Sequence, residues 1–121
     1  MSRSNALLFC LPGDGIKTVF IAVAGRSNGL GPVVSANTPY PVYNCPPPSQ
    51  ESCNDIWSSL NMPTGVSCAT IRNADGAAMA AAKDFGMTDH RIWSKLRANQ
   101  LNTRIKLKKA DKEVCSQYSE N

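Results

Sequence analysis

A chain of 121 residues that is 42% hydrophobic holds one small domain, or one domain with a tail, around a modest core. Its charged share is a low 18%, and 8 glycines with 8 prolines point to much irregular structure; no apolar run approaches the roughly 20 residues that a membrane-spanning helix needs. The net charge of +4 is unevenly placed: residues 1–70 are neutral, whereas residues 89–113 carry eight bases against three acids, a balance suited to an anionic partner.

In chain order, residues 1–5 are polar. The apolar run 6–11 is too short for a signal-peptide core and is interrupted at once by Pro12, Gly13, Asp14 and Gly15. That turn signal, followed by the β-branched and aromatic run 16–24, predicts a β-hairpin. The second arm is apolar on both faces through its middle, so it needs a cover, and a partner chain is the candidate. The glycine-rich stretch 25–32 lacks the Lys-Ser/Thr step of a P-loop and the glycine spacing of a dinucleotide fold, so no nucleotide site is predicted there. Val33 and Val34 begin another short strand. Residues 37–50 contain Pro39, Pro41, Pro46, Pro47 and Pro48. Prolines lock φ and donate no backbone bond, so this segment reads as an extended arm or linker.

Residues 51–60 read as a short helix capped by Ser52, with Ile56, Trp57 and Leu60 on its apolar face, ended by the stretch 61–65. Residues 66–74 read as a further helical segment, with Ser67 or Thr70 near its start. Five cysteines are present, an odd number, and none stands in a Cys-x-x-Cys pair. Cys45 and Cys53 bracket a segment that a disulfide would close in an oxidising compartment. A secreted, disulfide-containing protein is therefore one reading, and reduced, partly buried thiols in a cytoplasmic protein is the preferred one. The only histidine is His90, which leaves a Cys/His zinc site dependent on long-range convergence, and no metal or cofactor is expected. The carboxylates are scattered and no cysteine carries a nucleophile signature, so the chain is not expected to be an enzyme.

The stretch 76–101 reads as two helices joined by a tight turn. The run 77–85 is alanine-rich, Gly86 stops it, and Thr88 is the expected N-cap of the next helix. Asp89 suits the positive end of that helix. Ala82 stands four residues before Gly86, Ile92 six after it, and Leu96 four after that. A helix-turn-helix needs a small residue at the crossing, a glycine in the turn and two apolar anchors one turn apart. On Gly76, Ala81, Ala82, Phe85, Gly86, Met87, Thr88, Ile92, Trp93, Lys95 and Leu96, the stretch resembles the helix-turn-helix of Fis and NtrC-type DNA-binding domains. Ala77 and Asp89 depart from that pattern.

Together with the hairpin, linker and tail read from the residues, the helix-turn-helix resemblance gives an expected α+β chain: an N-terminal β-hairpin or extended region (1–50) with a proline-rich linker, a helical helix-turn-helix domain (51–110) and a flexible tail (111–121). The resemblance implies a DNA-binding transcriptional regulator; the reduced-thiol reading suits a cytoplasmic setting, and the small size and N-terminal half suit a phage or mobile-element type. His90, Arg91 and Ser94 would read base edges, while Lys95, Arg97, Arg104, Lys106, Lys108 and Lys109 would hold phosphates. Met79, Ala82, Phe85, Ile92 and Leu96 would form the core, with Trp93 more often core than contact. The alternation of base and aliphatic at 104–108 reads as a strand beside the recognition helix or as its continuation. Double-stranded DNA is the expected partner, with a homodimer and a protein partner on the apolar N-terminal strand as further candidates, and no membrane. The alternative is a small non-enzymatic structural or interaction protein, such as a virion or assembly component.

Overall fold

The computed structural model describes residues 15–48 and 56–119. The first arm of the expected hairpin, most of its turn, and the expected Ser52 cap lie outside the described residues. Within them the order is β1 (Phe20–Ala22), α1 (Leu30–Ala36), β2 (Val42–Asn44), α2 (Trp57–Leu60), β3 (Ala69–Thr70), α3 (Ala74–Gly86) and α4 (His90–Ser119).

The three strands form one parallel sheet in the order β1-β2-β3. Phe20 pairs with Val42 and Ala22 with Asn44, and Asn44 pairs in turn with Thr70. Parallel strands need a crossover, and α1 supplies it between β1 and β2. The ladder continues past the strand ends, with Cys45 N–H donating to Ala22 C=O at 2.8 Å and Ile71 N–H to Asn44 C=O at 2.9 Å. The sheet corrects the α+β hairpin expectation: the run 16–24 supplies β1, but β1 pairs in parallel with a strand some twenty residues on. Its middle strand, β2, lies inside the segment read as an arm. Pro41 precedes β2 and contributes only its carbonyl, which accepts from Phe20 N–H at 2.9 Å, so its missing N–H costs nothing here.

Alternation along each strand puts Phe20, Ala22, Val42, Asn44 and Thr70 on one face. There α1 covers the sheet, and Ala22, Val34 and Val42 form the core, with Phe20 and Cys68 packed against it. Burying each of the two valines stabilises the fold by about 1.5–3 kcal/mol. Val33 and Val34 are thus helical, not the strand expected of them. Pro32 sits in the first turn of α1, where its missing N–H has no intrahelical partner to lose. Asn37 closes the other end, its backbone N–H on Val34 C=O at 3.0 Å and its side-chain amide on Val33 C=O at 2.7 Å.

The segment 66–74, read as helical, instead holds β3 and the start of α3. In α2 the expected apolar face is reversed: Trp57 and Leu60 are exposed and Ser59 is buried. Asn73 caps α3 by accepting Asp75 N–H at 2.8 Å, and the Asp75 carboxylate suits the helix's positive end.

By its internal contacts the chain divides into one unit through Asp84 and a second from Phe85. In the second, Phe85, Ile92 and Leu96 are half-buried, and a Cβ on buried Gly86 would lie 3.4 Å from Leu96 Cδ1. Asp89, not Thr88, caps α4: its Oδ1 accepts Arg91 N–H at 2.8 Å, while the Thr88 hydroxyl turns back to Phe85 C=O at 3.3 Å. Trp93 and Met79, expected in the core, are exposed. Residues 104–108 continue the helix and form no strand. No helix among the described residues is long and apolar enough to cross a membrane.

Candidate active site

In a parallel sheet flanked by helices, the loops that leave the carboxyl ends of the strands converge on one edge, and ligands bind there. Three such loops are described. Residues 25–29 leave β1, residues 45–48 leave β2, and Ile71, Arg72 and Asn73 lead from β3 into α3. The chain forms the first loop there because β-branched residues stop at Val23 and glycines take over. Arg26 and Ser27 stand exposed on it, and the Ser27 hydroxyl accepts Gly29 N–H at 3.2 Å.

Beneath the exposed pair the loop is anchored. Asn28, Asn44 and Ser59 are buried to within 1% of complete. Asn44 Nδ2 donates to Asn28 Oδ1, Asn28 Nδ2 donates to Ser59 Oγ at 2.5 Å, and Ser59 Oγ lies 2.8 Å from Thr70 Oγ1. Asn44 Oδ1 is buried without a hydrogen-bond donor. Gly31 is required where α1 passes Asn44: a Cβ there would fall 2.5 Å from Asn44 Cβ, a distance real side chains do not adopt.

The other two loops frame a cleft of about 480 Å³ lined by Pro46, Pro47, Pro48, Arg72, Asn73 and Ala74. Its proline walls donate no backbone hydrogen bonds, so Arg72 is the charged group lining it and the natural seat for an anionic group. A second cleft of about 410 Å³ lies at the opposite, amino-terminal ends of β2 and β3, with Ser35, Tyr40 and Ser67 in its lining. Burial pushes the Cys68 thiol above its ordinary range, against a smaller opposing effect of a hydrogen bond with the Asn44 backbone. Cys45 is a buried thiol outside any disulfide, and Cys115 is exposed. Among the described residues no group of three or more His, Cys, Asp or Glu side chains is placed to hold a metal ion.

The residues proposed for DNA reading are placed elsewhere in the chain. His90, Arg91, Ser94, Lys95, Arg97, Arg104, Lys106, Lys108 and Lys109 all stand exposed on α4, and none belongs to the strand-end loops. The alanine-rich first helix of the supposed helix-turn-helix is α3, which follows directly on a strand of the parallel sheet. Its small residues meet a packing need common to both folds: Ala77 is completely buried, and a Cβ on Gly76 would lie 3.0 Å from Ile71 Cγ2. Loop 25–29 fits neither the P-loop pattern nor dinucleotide-fold glycine spacing, so those two patterns do not find it. A β-branched run, a glycine-rich loop and a proline in a helix's first turn form a strand–loop–helix signal that does not depend on that spacing.

The comparisons with known proteins point to an enzyme family and not to DNA binding. The AIR carboxylase family profile matches residues 11–106, across all three loops. The multifunctional protein ADE2 of Gallus gallus is 59% identical over 103 residues, which are 84% of this chain and 24% of that protein. Phosphoribosylaminoimidazole carboxylase of Archaeoglobus fulgidus is 43% identical over 97 residues, 79% of this chain and 54% of that one. The crystal structure of Treponema denticola PurE superposes with a TM-score of 0.81 at 29% identity, covering 91% of this chain and 70% of that one. The chain spans about a quarter of the animal relatives' length. These matches overturn the helix-turn-helix resemblance, and with it the transcriptional regulator, its phage-type origin and its double-stranded DNA partner. They equally overturn the structural-protein alternative and the expectation of a non-enzyme, since the relatives are named as carboxylases, and they replace the α+β fold with the flavodoxin-like parallel sheet of the PurE structures. A profile match that takes in both the sheet and every described strand-end loop makes this chain a member of the AIR carboxylase family.

Proposed function

We propose that this chain takes part in the carboxylation of phosphoribosylaminoimidazole, with the ligand seated on the strand-end loops. The observation that carries the reading is the span of the family match, which includes loop 25–29, the proline loop 45–48 and the Arg72–Asn73 corner. A carboxylase joins carbon dioxide to its substrate as a carboxylate and releases a proton. The substrate here brings a phosphate, and the product adds a second anionic group. Among the described residues, Arg26 on the first loop and Arg72 in the cleft are cations at this end of the sheet, and a guanidinium binds either anion through paired N–H donors. Ser27 adds a hydroxyl beside Arg26, and the glycines of the loop let a ligand approach the backbone closely. A cytosolic setting fits a reaction on a soluble nucleotide.

The test is transfer of label from isotopically marked bicarbonate into phosphoribosylaminoimidazole by the purified chain, with nucleotide binding followed separately by calorimetry. Labelled carboxylated nucleotide, reduced by Arg26→Ala and by Arg72→Ala, is the expected result. Absence of both nucleotide binding and label transfer would overturn the carboxylase reading. Binding that both substitutions leave unchanged would move the ligand away from these loops.

A further inference from the structure

The three most deeply buried polar side chains described in this protein belong to one connected set. Asn28 is 1% exposed, Asn44 0% and Ser59 1%, and each comes from a different part of the chain: the loop after β1, the end of β2 and the single turn α2. Thr70 of β3 ends the set. Burying such groups costs stability unless they are hydrogen-bonded, and here even the bonded set leaves one acceptor, Asn44 Oδ1, without a donor. Apolar residues of similar volume would stabilise the same space more simply. A connected polar set holds its members in one geometry, which apolar contacts do not. Asn28 is bonded to both Asn44 and Ser59, and the residues preceding it along the backbone are Ser27 and Arg26, both exposed.

We propose that Asn28, Asn44 and Ser59 are positioning residues: a buried relay from Thr70 that holds the Arg26–Ser27 step in register for the ligand at the strand ends. This rests on the carboxylase reading above for the identity of the ligand, though not for the relay itself. Ser59 is the link to test, because it is separated from the exposed step by Asn28. Removing its hydroxyl unties Asn28 Nδ2 from its nearest partner and cuts the relay from Thr70. Misplacing a ligand-contacting group by a fraction of an ångström to an ångström costs about tenfold or more in rate.

The experiment compares wild type, Ser59→Ala, Ser27→Ala and the double variant in the full chain, with kcat and KM for nucleotide carboxylation and amide hydrogen exchange at residues 27–29. Ser59→Ala is expected to lower kcat/KM about tenfold, to speed exchange at the loop amides, and to add nothing further once Ser27 is already alanine. That non-additivity is a signature that a general loss of stability does not produce. Additive effects, or a lowered melting temperature with unchanged kinetics and unchanged loop exchange, overturn the proposal. Should Ser59→Ala fail to fold, Thr70→Val removes the far end of the relay at constant shape and is held to the same three readouts. Should the wild type show no turnover, the carboxylase reading fails by itself. Loop exchange then decides the relay: faster exchange in Ser59→Ala sustains it, and unchanged exchange ends it.

Discussion

Tyr43 stands on the sheet face opposite α1 and donates its phenolic hydrogen to Asp84 Oδ2 at 2.8 Å, tying β2 to α3 within the first unit. The bond to Asp84 raises the Tyr43 pKa above 10.0, with burial and the carboxylate's charge acting in the same direction. The folded state therefore prefers the protonated phenol more than the unfolded state does. The stabilisation is fully present below the unfolded value of 10.0 and is lost as pH rises through the higher folded value. Tyr43→Phe removes both the bond and its titration. Wild type is expected to melt at a higher temperature than the variant at neutral pH, and the gap is expected to close in buffers well above pH 10. A gap that stays constant through that range would mean that Asp84 does not hold the phenol. The interaction is half-exposed, so the gap at neutral pH is expected to be small.

At the scale of elements, helices were more legible in the sequence than strands, and the reason is length. The run 77–85 is alanine-rich, and Gly86 marks the end of α3, so one face and one terminus were available to local reading. The strands are two or three residues long, shorter than the stretch over which alternation can be recognised. Parallel pairing is also non-local, so the turn signal at 12–15 pointed to a hairpin, whereas β2 is the partner of β1 among the described residues. Prolines around β2 disguised it, because only the carbonyl of Pro41 is used by the ladder. Ser59 was illegible for a different reason: a serine between Trp57 and Leu60 looks solvent-facing until Asn28 and Thr70 are brought to it from distant parts of the chain. The helix start at 90 was nearly legible, with the cap misplaced by one residue. Asp89→Ala is expected to cost about 0.5–2 kcal/mol in urea unfolding, since it leaves Arg91 N–H without its acceptor, whereas Thr88→Ala should stay within roughly 0.5 kcal/mol of wild type. Equal losses from the two would return the cap to Thr88.

For the molecule as a whole, the basic C-terminal half was the feature most open to misreading. Charge at 89–113 is a property that a phosphate-binding surface and a solvated helix share, and only the fold around it separates them. What the charge concealed is that α4 carries a run of exposed apolar side chains. Every described side chain from Leu101 to Tyr118 is exposed, and Trp93, Leu107 and Val114 recur at multiples of seven residues, with Tyr118 one turn beyond. A helix in a protein owes most of its stability to packing of its apolar face, and a helix standing in water is marginal even with favourable residues. The distal half of α4 should therefore depend on being covered, and its heptad spacing suits a second copy of the same helix. Helical circular dichroism is expected to rise with protein concentration in step with self-association seen by sedimentation. Leu107→Glu with Val114→Glu should lower both, and should leave the unfolding of the sheet unit unchanged. Helicity that stays constant on dilution while the protein sediments as a monomer would show that α4 stands alone.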